Sequence, residues 1–191
     1  DPGVPGAATP PARRGHDGRT PSRSATAPVR SPAMTQMPNI PMAIHRGEDE
    51  LPFVALGDGT HLQLLHVDIE QGLWVIRTKF EPGVVVPTHR HTGQVFAFTL
   101  AGSWKYAEYP EVNTAGSYLF EPAGSVHTLV VPEENEGLTD AWFAIYGANL
   151  QLDANGAVEL VIDAQTVRDT YYALCEAEGH PRPNTIENRG V

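Results

Sequence analysis

Cysteine is nearly absent: Cys175 is the single one in 191 residues. That excludes an internal disulfide framework and a cysteine-built zinc site, and it fits a reducing compartment, taken here as the cytoplasm. No apolar run is long enough to cross a bilayer, and no secretory apolar core is present, so no membrane role is expected. An excess of positive charge is missing too. Against 23 Asp and Glu stand 13 Lys and Arg, a net charge of −10, which gives no electrostatic reason to expect a nucleic-acid partner. Long helical periodicity is scarce, and Gly 18 and Pro 17 divide the chain into short segments.

Residues 1–33 contain no aromatic, Leu, Ile or Lys; their five Arg and two Asp give a net of +3, and residues 34–191 carry 8 basic and 21 acidic groups, a net of −13. So little apolar surface cannot offset the entropy of ordering, and residues 1–38 are expected to form a disordered Pro/Ala/Arg-rich tail. Its Arg-rich, acid-poor makeup is that of a transit peptide, but without an amphipathic period; sequence lying ahead of a start at Met34 is the plainer reading. The ordered domain is expected over 39–184, with a flexible C-terminus at 185–191.

Within 39–184 the dominant pattern is short β-prone runs closed by turn residues. Ile40–Ile44 reads as an edge strand or an extended arm. Leu62–Asp68, Leu73–Phe80, Val84 into His91, Gln94–Leu100, Ser103–Tyr106, Ser117–Phe120, His127–Val131 and Ala141–Tyr146 read as strands, and Asn155-Gly156 as a hairpin turn. No helix separates them, which excludes alternating βα units and leaves an all-β double-sheet sandwich or small barrel. The one helical signal comes last, at about 164–178. Asp163 can cap it, Val167, Tyr171, Leu174 and Cys175 share one face, and Gly179 and Pro181 end it. Cys175 on that stripe is expected in the core.

The chemistry concentrates at Pro87-Thr88-His89-Arg90-His91. On a strand, alternate side chains share a face, so His89 and His91 aim into one space and Arg90 points away. Neutral imidazole is a common ligand for divalent transition metals. One such pair is close to a chance event among 8 His. A second block changes that: Gly116 opens it, Pro122-Ala123-Gly124 turns the chain, and His127 follows. Two ligands from one strand and a third reached through a tight turn make a facial triad with open positions for substrate, water or O₂. His45, His61 and His66 have no spaced partner and are read as surface or structural.

These spacings resemble the cupin superfamily. Its first motif, G-x5-H-x-H-x3-4-E-x6-G, is matched at Gly83, His89, His91 and Gly102; its second, G-x5-P-x-G-x2-H-x3-N, at Gly116, Pro122, Gly124 and His127. Two positions depart: the motif glutamate falls on Val95 and the motif asparagine on Val131. The resemblance implies a double-stranded β-helix, or jelly roll, with metal held by His89, His91 and His127. Without the glutamate the ligand set is three neutral imidazoles, and a divalent metal would keep its full charge.

Residues 40–53, His91-Thr92-Gly93, Ser103–Tyr106, Phe120–Thr128 and Tyr146–Asn149 are further similar to 2,4'-dihydroxyacetophenone dioxygenase and its relatives, over about 39–184. That likeness implies a non-haem Fe(II) dioxygenase that splits an aromatic α-hydroxyketone with O₂ into a 4-hydroxybenzoate-type acid and formate. It also implies a homo-oligomer, dimer or tetramer, with the 39–53 arm as a candidate for strand exchange. A β-diketone-cleaving enzyme of the acetylacetone type, an isomerase or decarboxylase cupin, and a non-catalytic metal- or ligand-binding cupin are the alternatives. Residue types alone do not choose among Fe, Zn, Mn, Ni and Cu. Glu121, the nearest carboxylate in sequence to His127, is read as orienting a ligand or moving a proton, with a strand-end ion pair as the plain alternative. Trp104 and Tyr106 are candidate pocket walls, with plain core aromatics on a strand as the alternative for either alone; Trp142 and Phe143 are read as core.

Overall fold

A computed structural model describes residues 43–188. The expected tail at 1–38 lies outside them, as do 39–42 and 189–191. After a 3₁₀ turn at Glu48–Glu50 come β1 (Val54–Ala55), β2 (Thr60–Asp68), β3 (Leu73–Phe80), β4 (Val85–His91), β5 (Val95–Ala101), β6 (Ser103–Tyr106) and β7 (Val112–Thr114). Then follow β8 (Tyr118–Glu121), β9 (Val126–Val130), β10 (Thr139–Tyr146), β11 (Asn149–Leu152), β12 (Val158–Ile162), α1 (Ala164–Ala177) and β13 (Ile186–Asn188).

The strands form two sheets. One is ordered β1-β2-β3-β10-β5-β8 with β13 also on β2, the other β12-β11-β4-β9-β6-β7. Period-two patterning drives the stacking. In β3, Trp74, Ile76, Thr78 and Phe80 are buried while the residues between them are half-buried. They meet Trp104, Tyr106, Leu129 and Phe143 in a continuous apolar core. The expected all-β jelly roll with a C-terminal helix is therefore the observed architecture.

Two glycines let the chain cross between sheets, one of them two residues after His91. A Cβ on Gly93, between β4 and β5, would lie 2.3 Å from the Tyr146 carbonyl oxygen. Gly102, between β5 and β6, has φ +70 and would set a Cβ 2.8 Å from the Thr139 Cα. Helix α1 begins as the sequence indicates: the Asp163 carboxylate accepts from the Thr166 amide at 2.8 Å. Val167, Tyr171 and Cys175 are buried and Leu174 is half-buried, so this stripe packs on β2. Burial pushes the Cys175 thiol up, which makes it a packing residue.

The C-terminal end corrects an expectation. Residues 185–191 were expected to be flexible, yet Ile186–Asn188 pair with His66–Asp68 as the parallel strand β13. β1 covers only Leu62 and His61 of that edge, leaving the far half of β2 free. Thr185 fills it, buried and bonded through Oγ1 to the Leu64 carbonyl at 3.2 Å, and the Asn188 amide donates to Asp68 at 3.0 Å. Three residues are too few to show a period, so the strand was invisible in the sequence. At the other end, the described part of the proposed edge strand or arm, Ala43–Gly47, has no regular secondary structure, and Ile44 is exposed.

Candidate metal centre

Register brings the histidines together. β4 and β9 are antiparallel with His89 directly opposite His127. The Pro122–Ser125 turn is clamped to the end of β4: the Gly124 amide donates to the His91 carbonyl at 2.7 Å, and the His91 amide donates to the Ser125 carbonyl at 3.1 Å. His89, His91 and His127 each offer a ring nitrogen within 4.8 Å of the others, and all three are buried. Their ring centroids lie 4.8–5.3 Å apart. Arg90, between the pair, is exposed as alternation requires.

The protonation states suit metal binding. The His89 Nδ1 lies 2.7 Å from the Pro87 carbonyl oxygen. A carbonyl only accepts, so Nδ1 carries the hydrogen and the Nε2 lone pair faces the site. Burial pushes the His91 imidazole down to about 4. Burial also lowers His89, outweighing its bond to Pro87. Both are neutral at pH 7 with no proton to displace.

The candidate ligand set is the three imidazoles, as the sequence indicates, and a carboxylate stands beside them. Glu121, at the end of β8, is 3% exposed. Its Oε2 lies 3.2 Å from the His91 Nε2 and 3.1 Å from the His127 Nε2. Its Cα partner across β5 and β8 is Val95, the position where the motif glutamate is missing. This chain thus carries an acid one strand over from the motif position. Burial alone would raise the Glu121 carboxyl, but His127, His91 and the Tyr106 hydroxyl together hold it below the usual range. The Tyr106 hydroxyl donates to Oε1, and its ring stacks on His127 with centroids 3.8 Å apart at 14°. Burial, with that carboxylate beside it, pushes the phenol well above its ordinary range, so it stays a donor.

The Glu121–histidine contacts are close approaches of 3.1–3.2 Å. Glu121 Oε2, His127 Nε2 and His91 Nδ1 are buried polar atoms without a hydrogen-bond partner. Orphans of this kind are costly unless something satisfies them. A divalent cation at the focus of the three imidazoles would satisfy His127 Nε2 and offset the charge of the Glu121 carboxylate beside it, and the donor set fits such an ion.

A cavity of about 200 Å³ adjoins this centre, with His89, His91, Tyr106 and Glu121 in a largely apolar wall that includes Ile76, Phe80 and Phe143. Tyr106 thus reaches both the cavity and the carboxylate. Trp104, proposed with it as a pocket wall, is instead fully buried core. It packs on Phe143, and its indole N–H donates to Thr99 Oγ1 at 2.9 Å. Phe143, read as core, is buried and also contributes to the cavity wall. Trp142 is only half-buried. His45, His61 and His66 lie apart from the cluster. Leu129, Ile145 and the Pro87 carbonyl were missed as site elements, because nothing local in sequence marks which face of a strand borders a cavity.

Comparison with known proteins agrees with this geometry. Residues 42–140 match the ChrR cupin-like domain family. A protein of unknown function with a cupin-like fold from Ralstonia eutropha JMP134 is 33% identical, covering 78% of this chain and 98% of its own, with a TM-score of 0.70. An RmlC-like cupin from the same organism is 26% identical over 74% of this chain and 92% of its own, at a TM-score of 0.69. An acetylacetone dioxygenase from Acinetobacter johnsonii shares the fold at 18% identity and a TM-score of 0.61, covering 74% and 98%. No curated protein matches the sequence. The matched motifs, the two-sheet fold and the 33% relative together place this chain in the cupins of the ChrR cupin-like domain family.

Proposed function

We propose that this chain is a metal-dependent dioxygenase that cleaves a C–C bond of a small ketone, with an aromatic α-hydroxyketone of the 2,4'-dihydroxyacetophenone kind as substrate. The observation that carries the reading is the junction of two unlike surfaces. Two of the three clustered imidazoles, His89 and His91, and the Glu121 carboxylate stand in the wall of an apolar cavity of about 200 Å³. A cavity of about 150 Å³ accommodates benzene, so this one takes a single ring with a short side chain. The balance is 2,4'-dihydroxyacetophenone plus O₂ giving 4-hydroxybenzoate plus formate, both oxygen atoms entering the products.

Fe(II), held by His89, His91 and His127, would supply Lewis acidity and the electron transfer that lets O₂ react with the substrate. The chain's own residues do the rest. Apolar side chains such as Ile76, Phe80 and Phe143 hold the ring and exclude water. Glu121 accepts the carbinol proton. Its Oε1 is committed to Tyr106, and its Oε2 has no hydrogen-bond partner, so Oε2 receives it. Tyr106, stacked on His127, fixes the direction of that carboxylate.

The test is to load apo-protein anaerobically with Fe(II), add 2,4'-dihydroxyacetophenone, admit air, and follow O₂ uptake with 4-hydroxybenzoate and formate. One O₂ per substrate and one of each product is expected. No uptake with this or related α-hydroxyketones and β-diketones refutes a dioxygenase. A β-diketone substrate is the second reading. It is supported by the small apolar cavity and by fold likeness to the acetylacetone dioxygenase, and pentane-2,4-dione run in parallel separates the two.

A further inference from the structure

The triad has two sides. His89 and His91 line the apolar cavity already described, whereas His127 lines a separate chamber of about 250 Å³. Among the described residues only Tyr106 and Glu121 border both, so this hydrogen-bonded pair is the wall between them. The chamber's rim residues, Tyr109, Glu111, Phe120 and Pro122, are exposed, while its floor, Tyr106, Glu121 and His127, is buried. Its mouth therefore opens to solvent and its floor is the metal centre. The apolar cavity has its own exposed lining at Leu56, Asp58 and Pro87.

The two routes suit different travellers. A hydrated divalent cation pays heavily to cross apolar surface. The outer chamber offers it carboxylates at both ends, Glu111 at the rim and Glu121 on the floor, with Asn113 and Ser125 between them. No Lys or Arg is in its lining among the described residues. Three buried polar atoms there, Ser125 Oγ, Glu121 Oε2 and His127 Nε2, have no hydrogen-bond partner. Glu108 adds a further negative charge beside His127, its Oε2 accepting from the Thr128 amide at 3.0 Å. Such a lining focuses cations and disfavours anions.

We infer that the outer chamber is the port through which the divalent metal and water reach the three histidines, while the organic substrate uses the apolar cavity. This inference rests on the metal-dependent reading above. Metal exchange and substrate binding are then kinetically independent: a ligand seated in the apolar cavity does not trap the ion.

Stopped-flow binding of Zn(II) to the apo-protein, with release followed by chelator competition, tests it. Tyr109→Trp, at the half-exposed rim, is expected to slow association and dissociation together by severalfold at unchanged Kd, the signature of a narrowed passage. Glu111→Gln is expected to lower the association rate about two- to threefold at low salt, the difference vanishing as salt screens the rim charge. Leu56→Trp, at the other mouth, should leave both rates unchanged. Unaltered exchange in Tyr109→Trp, or slowed exchange in Leu56→Trp, overturns the port. Equilibrium Zn(II) content separates the two levels: no binding at all refutes the metal reading, whereas binding with unaltered exchange in Tyr109→Trp refutes the port alone.

Discussion

Replacing Glu121 by Gln keeps the shape of the side chain and removes its charge. Oε2 stands 3.2 and 3.1 Å from Nε2 atoms of two candidate ligands, so the charge acts at the metal centre itself. Loss of a partner at this position weakens metal binding about 10- to 100-fold, or about 1.4–2.7 kcal/mol. The apo-fold should change less, because Gln still accepts from the Tyr106 hydroxyl and a buried carboxylate without its cation is itself costly. Tyr106→Phe attacks the same contact from the other side. It leaves the buried Oε1 unpaired, at about 1–3 kcal/mol of folding stability, and loosens the carboxylate. If Tyr106 acts on the metal through Glu121, its effect on affinity largely disappears in the Glu121→Gln background, a coupling of about 0.5–3 kcal/mol. The assays are Zn(II) affinity by chelator competition at fixed pH and salt, and urea unfolding of the apo-proteins. Wild-type affinity in Glu121→Gln, or additive effects in the double variant, would refute the assignment.

Three other outcomes follow from particular contacts. His127→Ala should abolish stoichiometric metal binding, measured by elemental analysis, and retained metal would remove the third ligand. For acid stability, His91 is neutral in both folded and unfolded chains above pH 6.5; below it only the unfolded chain takes the proton, until about 4. The apo-fold should therefore lose about 3 kcal/mol across that window through this group, and urea unfolding of His91→Gln from pH 7 to 4.5 should show a correspondingly shallower slope. Trp104→Phe should lower stability by about 1–2 kcal/mol through the lost indole bond to Thr99, with unchanged metal content; a large change in metal affinity would restore Trp104 to the site.

Much of the fold was legible because the strands announce themselves by alternation and turns. Leu73–Phe80 and Ser103–Tyr106 have the same limits in sequence and structure, since a period of two with a Gly or Pro at the end is local information. β13 was not legible: its pairing depends on an edge left open by β1, over 100 residues away in sequence. The three-histidine cluster could be read because its spacing reports a strand and a turn. The fate of Trp104 and Tyr106 could not be. Two positions apart on one strand, they share a face, yet one touches Thr99 and the other Glu121. What decides between core and cavity is the depth of each along the barrel, which neither residue type encodes.

Glu121 supplies, from the neighbouring strand, a charge that the motif position Val95 lacks. Counting along β4 and β5 ends on Val95 and suggests a site without an acid. Counting across the sheet leads from Val95 to its antiparallel partner Glu121. Side chains of directly opposed residues in such a pair lie on the same face about 4.5–5.5 Å apart, so a carboxylate transferred between them still points into the same interior. That register predicts a compensating exchange. Val95→Glu alone places two buried carboxylates side by side, and repulsion raises the pKa of one and destabilises the fold. Val95→Glu combined with Glu121→Val returns one carboxylate to the pair and should recover a large part of the metal affinity that Glu121→Val alone loses. It cannot recover the Tyr106 contact unless the new acid reaches that hydroxyl. Chelator competition on the three variants decides it: a double variant no better than Glu121→Val means that the metal reads the strand from which the acid comes, and not only its charge.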